Sequence, residues 1–100
     1  MTIMQGDSCK IPFVIYTDDI LVTDQLVEKI EFTIGTIAKE YPGDAEYADG
    51  EFKVPLTQED TLSVQGKQPV QVRVKLSSGD VYGVKLDPIE FEDTISKVVL

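Results

Sequence analysis

The chain contains no histidine, no tryptophan, a single cysteine and a single arginine. Each scarcity closes off a class of chemistry. A serine or cysteine nucleophile working near neutral pH needs a base to take its proton, and histidine is the usual one. Zinc sites built from Cys and His are out of reach when Cys9 is the only such ligand. The lone thiol cannot close an internal disulfide, so the fold rests on packing, as suits assembly in a reducing cytoplasm. Arg73 is the only guanidinium, and 9 basic residues face 18 acidic ones for a net charge of −9. Such a chain repels a phosphate backbone, and no nucleic-acid partner is expected. No basic leader or apolar signal segment opens the sequence, and no apolar run is long enough to cross a membrane as a helix. Glycine-rich phosphate loops and dinucleotide fingerprints are also missing, so no cofactor is expected.

What is present is alternation. One hundred residues, 42% of them apolar, fit a single domain spanning 1–100 with one core. From Val70 to Leu76 every second residue is aliphatic, which puts Val70, Val72, Val74 and Leu76 on one sheet face and Gln71, Arg73 and Lys75 in water. Ser77-Ser78-Gly79-Asp80 is a turn cluster, and Val81–Leu86 runs back with Tyr82, Val84 and Leu86 inward, a β-hairpin. Ile11, Phe13 and Ile15 alternate in the same way around Pro12, which has no N–H and so belongs at a sheet edge. Ile30, Phe32 and Ile34 repeat the pattern until Gly35, which marks a bulge or strand end. Asp49-Gly50 is a tight-turn pair followed by alternating Phe52 and Val54. Thr57-Gln58-Glu59-Asp60 has the spacing of a capping box, enough for one helical turn. Val27–Ile30 and Thr94–Val99 also admit a short helical reading. The pattern predicts an all-β fold, an immunoglobulin-like β-sandwich of about seven short, mostly antiparallel strands with at most one short helical turn.

Several residues invite a chemical role. Gly6-Asp7-Ser8 is the form in which one family of serine esterases carries its nucleophile, but no histidine is available to serve as its base. Ser8 is expected to be a turn residue, with the Asp7 carboxylate capping nearby N–H groups, and Cys9 to pack as a small apolar side chain. The acidic stretch Asp44–Glu51, with Asp18-Asp19 and Asp87/Glu90/Glu92/Asp93, lacks the ligand spacing of a calcium loop and reads as solvated carboxylates. No metal or catalytic residue is assigned. Tyr41, Tyr47 and Tyr82 are the candidates for a sugar-stacking platform. Val98-Val99-Leu100 would be costly to leave in water, so it either completes the domain's own sheet or docks on a neighbour; with Pro12 it is the candidate interface.

Taken in order, several stretches resemble small phage tail and baseplate domains. These are Met4-Gln5-Gly6-Asp7 before Pro12-Phe13-Val14-Ile15, the acidic turn Thr17-Asp18-Asp19, and Asp24-Gln25-Leu26-Val27 leading into Ile30–Ile34. Leu56–Thr61 and Val70–Leu76 with Ser78-Gly79-Asp80 continue the likeness. The second strand is similar to that of the N-terminal domain of phage upper baseplate proteins, although this sequence has no fibre-forming region after it. The resemblance implies a non-enzymatic virion structural protein of tail, baseplate or capsid surface, partnered by other virion proteins and by copies of itself. The alternative is a carbohydrate-binding module for cell-surface attachment.

Overall fold

The computed structural model describes residues 1–100 and is mostly strand, with 57% of residues in strands and 5% in helix. Ten strands form, where about seven were expected. Most of the surplus is short: β1 (Thr2–Met4), β3 (Tyr16–Thr17) and β4 (Ile20–Leu21) have two or three residues each, too few for an alternating pattern to show. The other strands are β2 (Cys9–Phe13), β5 (Val27–Ile34), β6 (Ile37–Tyr41), β7 (Glu46–Ala48), β8 (Glu51–Leu56), β9 (Gly66–Leu76) and β10 (Val81–Glu92). The one helix, α1 (Gln58–Leu62), starts on the expected capping box: Asp60 N–H donates to Thr57 Oγ1 at 3.1 Å, and Thr57 N–H donates to Asp60 Oδ2 at 2.8 Å.

The strands assemble as a five-stranded sheet, β1-β10-β9-β5-β6, and a three-stranded sheet, β2-β8-β7, with β3 and β4 as a small separate hairpin. All pairings are antiparallel except β1 with β10, which is parallel from Thr2↔Glu90 to Met4↔Glu92. The two larger sheets pack face to face. Ile30, Phe32, Ile34, Val70, Val72 and Val74 from one meet Ile11, Phe13, Phe52, Val54 and Leu56 from the other, all buried. The Phe13 and Phe32 rings touch across the interface with centroids 5.0 Å apart, and Tyr41 meets Phe52 edge-on at 5.1 Å. Burial of each large side chain contributes about 1.5–3 kcal/mol before ordering costs.

Local rules explain the joints. Asp49 and Gly50 both have positive φ, +53° and +80°, the two-residue hairpin turn that joins β7 to β8. Gly35, at φ +60°, does end its strand: it turns β5 into β6, and Ile34 pairs with Ile37. Pro12 and Pro55 fall in the same class of antiparallel pair, Pro12↔Lys53 and Lys10↔Pro55, so neither deletes a ladder bond between β2 and β8. Pro12 therefore turns its missing donor toward the outer edge of β2. Val27–Ile30 is strand, which removes its helical reading.

A register shift in β10 between Leu86 and Ile89 changes which residues face inward. Tyr82, Val84 and Leu86 share the inner face opposite Val74, Val72 and Val70; past the bulge Ile89 and Phe91 take over, and both are buried. The first group was expected inside, and only Tyr82 is half-buried. Val84 and Leu86 are 44% and 42% exposed. The reason is the mismatch of sheets: three strands cannot cover five, and the uncovered strip falls on β10.

The segment after β10 departs from both of its sequence readings. Asp93–Leu100 joins neither sheet and forms no helix, and Ile95 and Leu100 are fully exposed. It is held by polar contacts at its base: Thr94 N–H and Lys97 Nζ reach Gln5 Oε1, at 3.3 and 2.6 Å.

Candidate interaction surface

On one side of the molecule both sheets end in unpaired strands. β2 is the edge of the smaller sheet. β10 is capped by β1 only at Glu90–Glu92, so Val81–Leu86 has a neighbour, β9, on one side alone. The direction of its free groups follows from the hairpin. Leu76 N–H donates to the Asp80 carbonyl at 2.8 Å, and bonded and non-bonded pairs alternate from there. Tyr82, Val84 and Leu86 thus bond to β9, while the N–H and C=O of Val81, Gly83 and Lys85 point to the open side.

Between the two edges runs a furrow of about 460 Å³, walled by Val14, Tyr16, Tyr82, Val84 and Leu86 over a floor that includes Phe13. A second hollow of about 320 Å³ shares Phe13, Val14 and Leu86 with it and extends past Pro12 to Met1 and Pro88. The walls are apolar and open: Val14 and Tyr16 are 49% and 61% exposed. One buried side-chain polar atom has no hydrogen-bond partner, and it is Tyr82 Oη, on a residue of this same furrow. A hydroxyl in that state costs free energy that a partner would return.

The other candidates scatter. Tyr41 and Tyr47 come together, but both rings pack on Phe52, at 5.1 and 4.8 Å, and are half-buried. Burial first, then Asp24 and Tyr47, push the Tyr41 hydroxyl above its usual pKa. Tyr82 lies on β10, three strand positions from β6, about 14 Å across the sheet at ~4.8 Å per strand. Tyr41 and Tyr82 share the inner face of the five-stranded sheet and Tyr47 faces inward from the other sheet, so the three form no open platform.

Gly6-Asp7-Ser8 is the turn between β1 and β2. Gly6 has φ +90°, Asp7 N–H bonds Met4 O at 3.1 Å, and the Asp7 carboxylate accepts from Met4 N–H at 3.2 Å. Ser8 is exposed, and Lys10 is occupied by Glu46 at 2.9 Å. Burial, then the negative charge of Asp7, raise the Cys9 thiol above its ordinary pKa, the opposite of what a reactive thiolate needs. Among the acidic residues, Asp44 caps Glu40 N–H at 3.0 Å and Glu46 is drawn to Lys10; no three His, Cys, Asp or Glu side chains converge as a metal site.

Pro12 and Val98–Leu100 both lie on the surface, but apart. Pro12 borders the furrow, whereas Leu100 N–H reaches Gln58 Oε1 of α1 at 2.9 Å. Sequence reasoning missed Val14, Tyr16, Val84 and Leu86 as surface residues. The available signal was Val14 and Tyr16, apolar residues on the outward phase of an alternating segment. Comparison with family models, curated proteins and solved structures finds no match for this chain.

Proposed function

We propose that this chain is a non-catalytic assembly module, an immunoglobulin-like β-sandwich that serves as a structural protein of a phage or prophage virion. The observation that carries the assembly role is the unpaired strand Val81–Leu86 beside an open apolar furrow, since an exposed edge of this kind is a template for another chain. The strand order supports the immunoglobulin-like reading. β1-β10-β9-β5-β6 has the order of a G-F-C sheet extended by C′ and by a first strand laid on G, and β2-β8-β7 has the order B-E-D. The virion assignment draws its support from the resemblance of the Met4–Asp7, Pro12–Ile15 and Leu56–Thr61 stretches to baseplate domains. The lack of histidine, the exposed Ser8 and the raised Cys9 thiol all favour a passive role over catalysis.

The test is particle composition. Particles purified from a strain that carries the gene should contain the protein in fixed stoichiometry by mass spectrometry, and its deletion should change their morphology. A protein absent from the particles, with morphology unchanged by deletion, would overturn the reading.

A further inference from the structure

The furrow wall and the apolar side chains of the segment after β10 are both left without partners. The chain is elongated, 46 × 22 × 19 Å. From Val84, in the furrow wall, to Glu92, where β10 ends, is eight residues of strand, about 26 Å at ~3.3 Å each. The segment cannot close on its own furrow along β10, because β1 already occupies that edge at Glu90–Glu92 and Met1 O accepts from Glu90 N–H.

We propose that residues Thr94–Leu100 of one copy insert as an added strand into the furrow of a second copy, so that the chain assembles head to tail. The inference rests on the assembly reading above and names its partner. Two observations carry it. Val81–Leu86 offers outward N–H and C=O groups over six residues, about 20 Å, and Thr94–Leu100 extended is about 23 Å long. With Val98 and Leu100 turned inward, the alternation of a strand sets two aliphatic side chains against Tyr16, Val84 and Leu86 and leaves Lys97 outward. The contacts that hold the segment now run from Lys97 to the buried Gln5 and to Asp93, and from the Leu100 N–H to Gln58.

A contact between two different surfaces grows as open chains or rings, not as a closed pair. Two lesions separate its halves. A protein lacking Ile95–Leu100 has no donor, and Lys85→Pro removes an outward N–H without touching a bond to β9; Leu86→Lys, at an exposed position, serves if the proline variant does not fold. Circular dichroism checks that each keeps its strand content, and sedimentation velocity reads the assembly. The intact protein should form a concentration-dependent ladder of species, more readily at moderate than at low salt because each copy carries −9. Each variant alone should be monomeric, and their equimolar mixture should give a heterodimer that grows no further, dissolved by a synthetic Thr94–Leu100 peptide. A mixture that stays monomeric overturns the proposal. So does a tail-deleted protein that associates as the intact one does, which would place the contact in symmetric pairing of β10 edges. None of these outcomes depends on particle composition, so the assembly reading keeps its own separate test.

Discussion

Replacing Thr61 by valine should loosen the crossing between the two sheets. Thr61 is the fully buried residue of α1, and its hydroxyl accepts from Gly6 N–H at 2.8 Å and bonds the Asp7 carbonyl at 2.9 Å. Those two residues carry the chain from β1 in one sheet to β2 in the other. Valine preserves the shape and removes both bonds. A buried donor left without a partner costs about 1–3 kcal/mol. Asp7 is exposed, so water replaces the bond to its carbonyl, and the cost falls mainly on the half-buried Gly6 N–H. The expected loss is then about 1–2 kcal/mol, a drop in Tm of roughly 4–16 °C for a domain of this size. Thr61→Ser keeps the hydroxyl and loses one methyl, about 0.8 kcal/mol of transfer free energy, so stability alone separates the two variants poorly. Amide exchange separates them well. Gly6 N–H should exchange much faster in Thr61→Val and stay protected in Thr61→Ser. A valine variant as stable as the parent, with Gly6 equally protected, would refute the role given to this hydroxyl.

Gly35→Ala should destabilise by about 1–2 kcal/mol in urea unfolding, because its φ of +60° disfavours any Cβ and the Gln68 side chain stands where that Cβ would be. Phe52→Ala should cost about 3–5 kcal/mol, since the ring is fully buried and packs on Tyr41 and Tyr47; a loss under 1 kcal/mol would contradict the packing. Acid should expose the Lys39–Asp60 pair at 2.9 Å. Burial alone raises the Asp60 carboxyl, but hydrogen bonds from Lys39 and Thr57 outweigh it and hold the folded value below the ordinary one. The contribution is therefore complete above the unfolded carboxylate value, about 3.9, and is lost as pH falls through the lower folded value. Asp60→Asn should flatten that part of the acid-unfolding curve, while Glu46→Gln, at an exposed pair, should leave it nearly unchanged.

The hairpin from Pro69 to Leu86 was legible in the sequence because period two and a glycine turn are local signals, and so were the Asp49-Gly50 turn and the Thr57–Asp60 cap. β6 was not, because Ala38, Lys39 and Glu40 follow Ile37 without alternation; its place is fixed by Gly35 and by pairing with β5. The furrow was the least legible feature. Val84 and Leu86 repeat the pattern of Val72 and Val70 opposite them, and nothing near them in the chain separates wall from core. What separates them is the width of the facing sheet, a sum over strands far apart in sequence. For Val98–Leu100 the sequence left a last strand and a docking segment both open, because three apolar residues without alternation do not say what covers them.

The parallel pair of β1 and β10 has a mechanical consequence. The bonds from Met1 O and Glu90 N–H through to Gln5 N–H and Glu92 O stitch the first strand to the last, side by side and pointing the same way. Tension applied to the chain before Thr2 and beyond Glu92 pulls the two strands past each other, so every bond in the stitch is stretched at once rather than peeled singly. Single-molecule stretching should register one abrupt high-force rupture; a gradual low-force extension would contradict it. A filament threaded through this stitch would carry its load on the strongest axis of each unit.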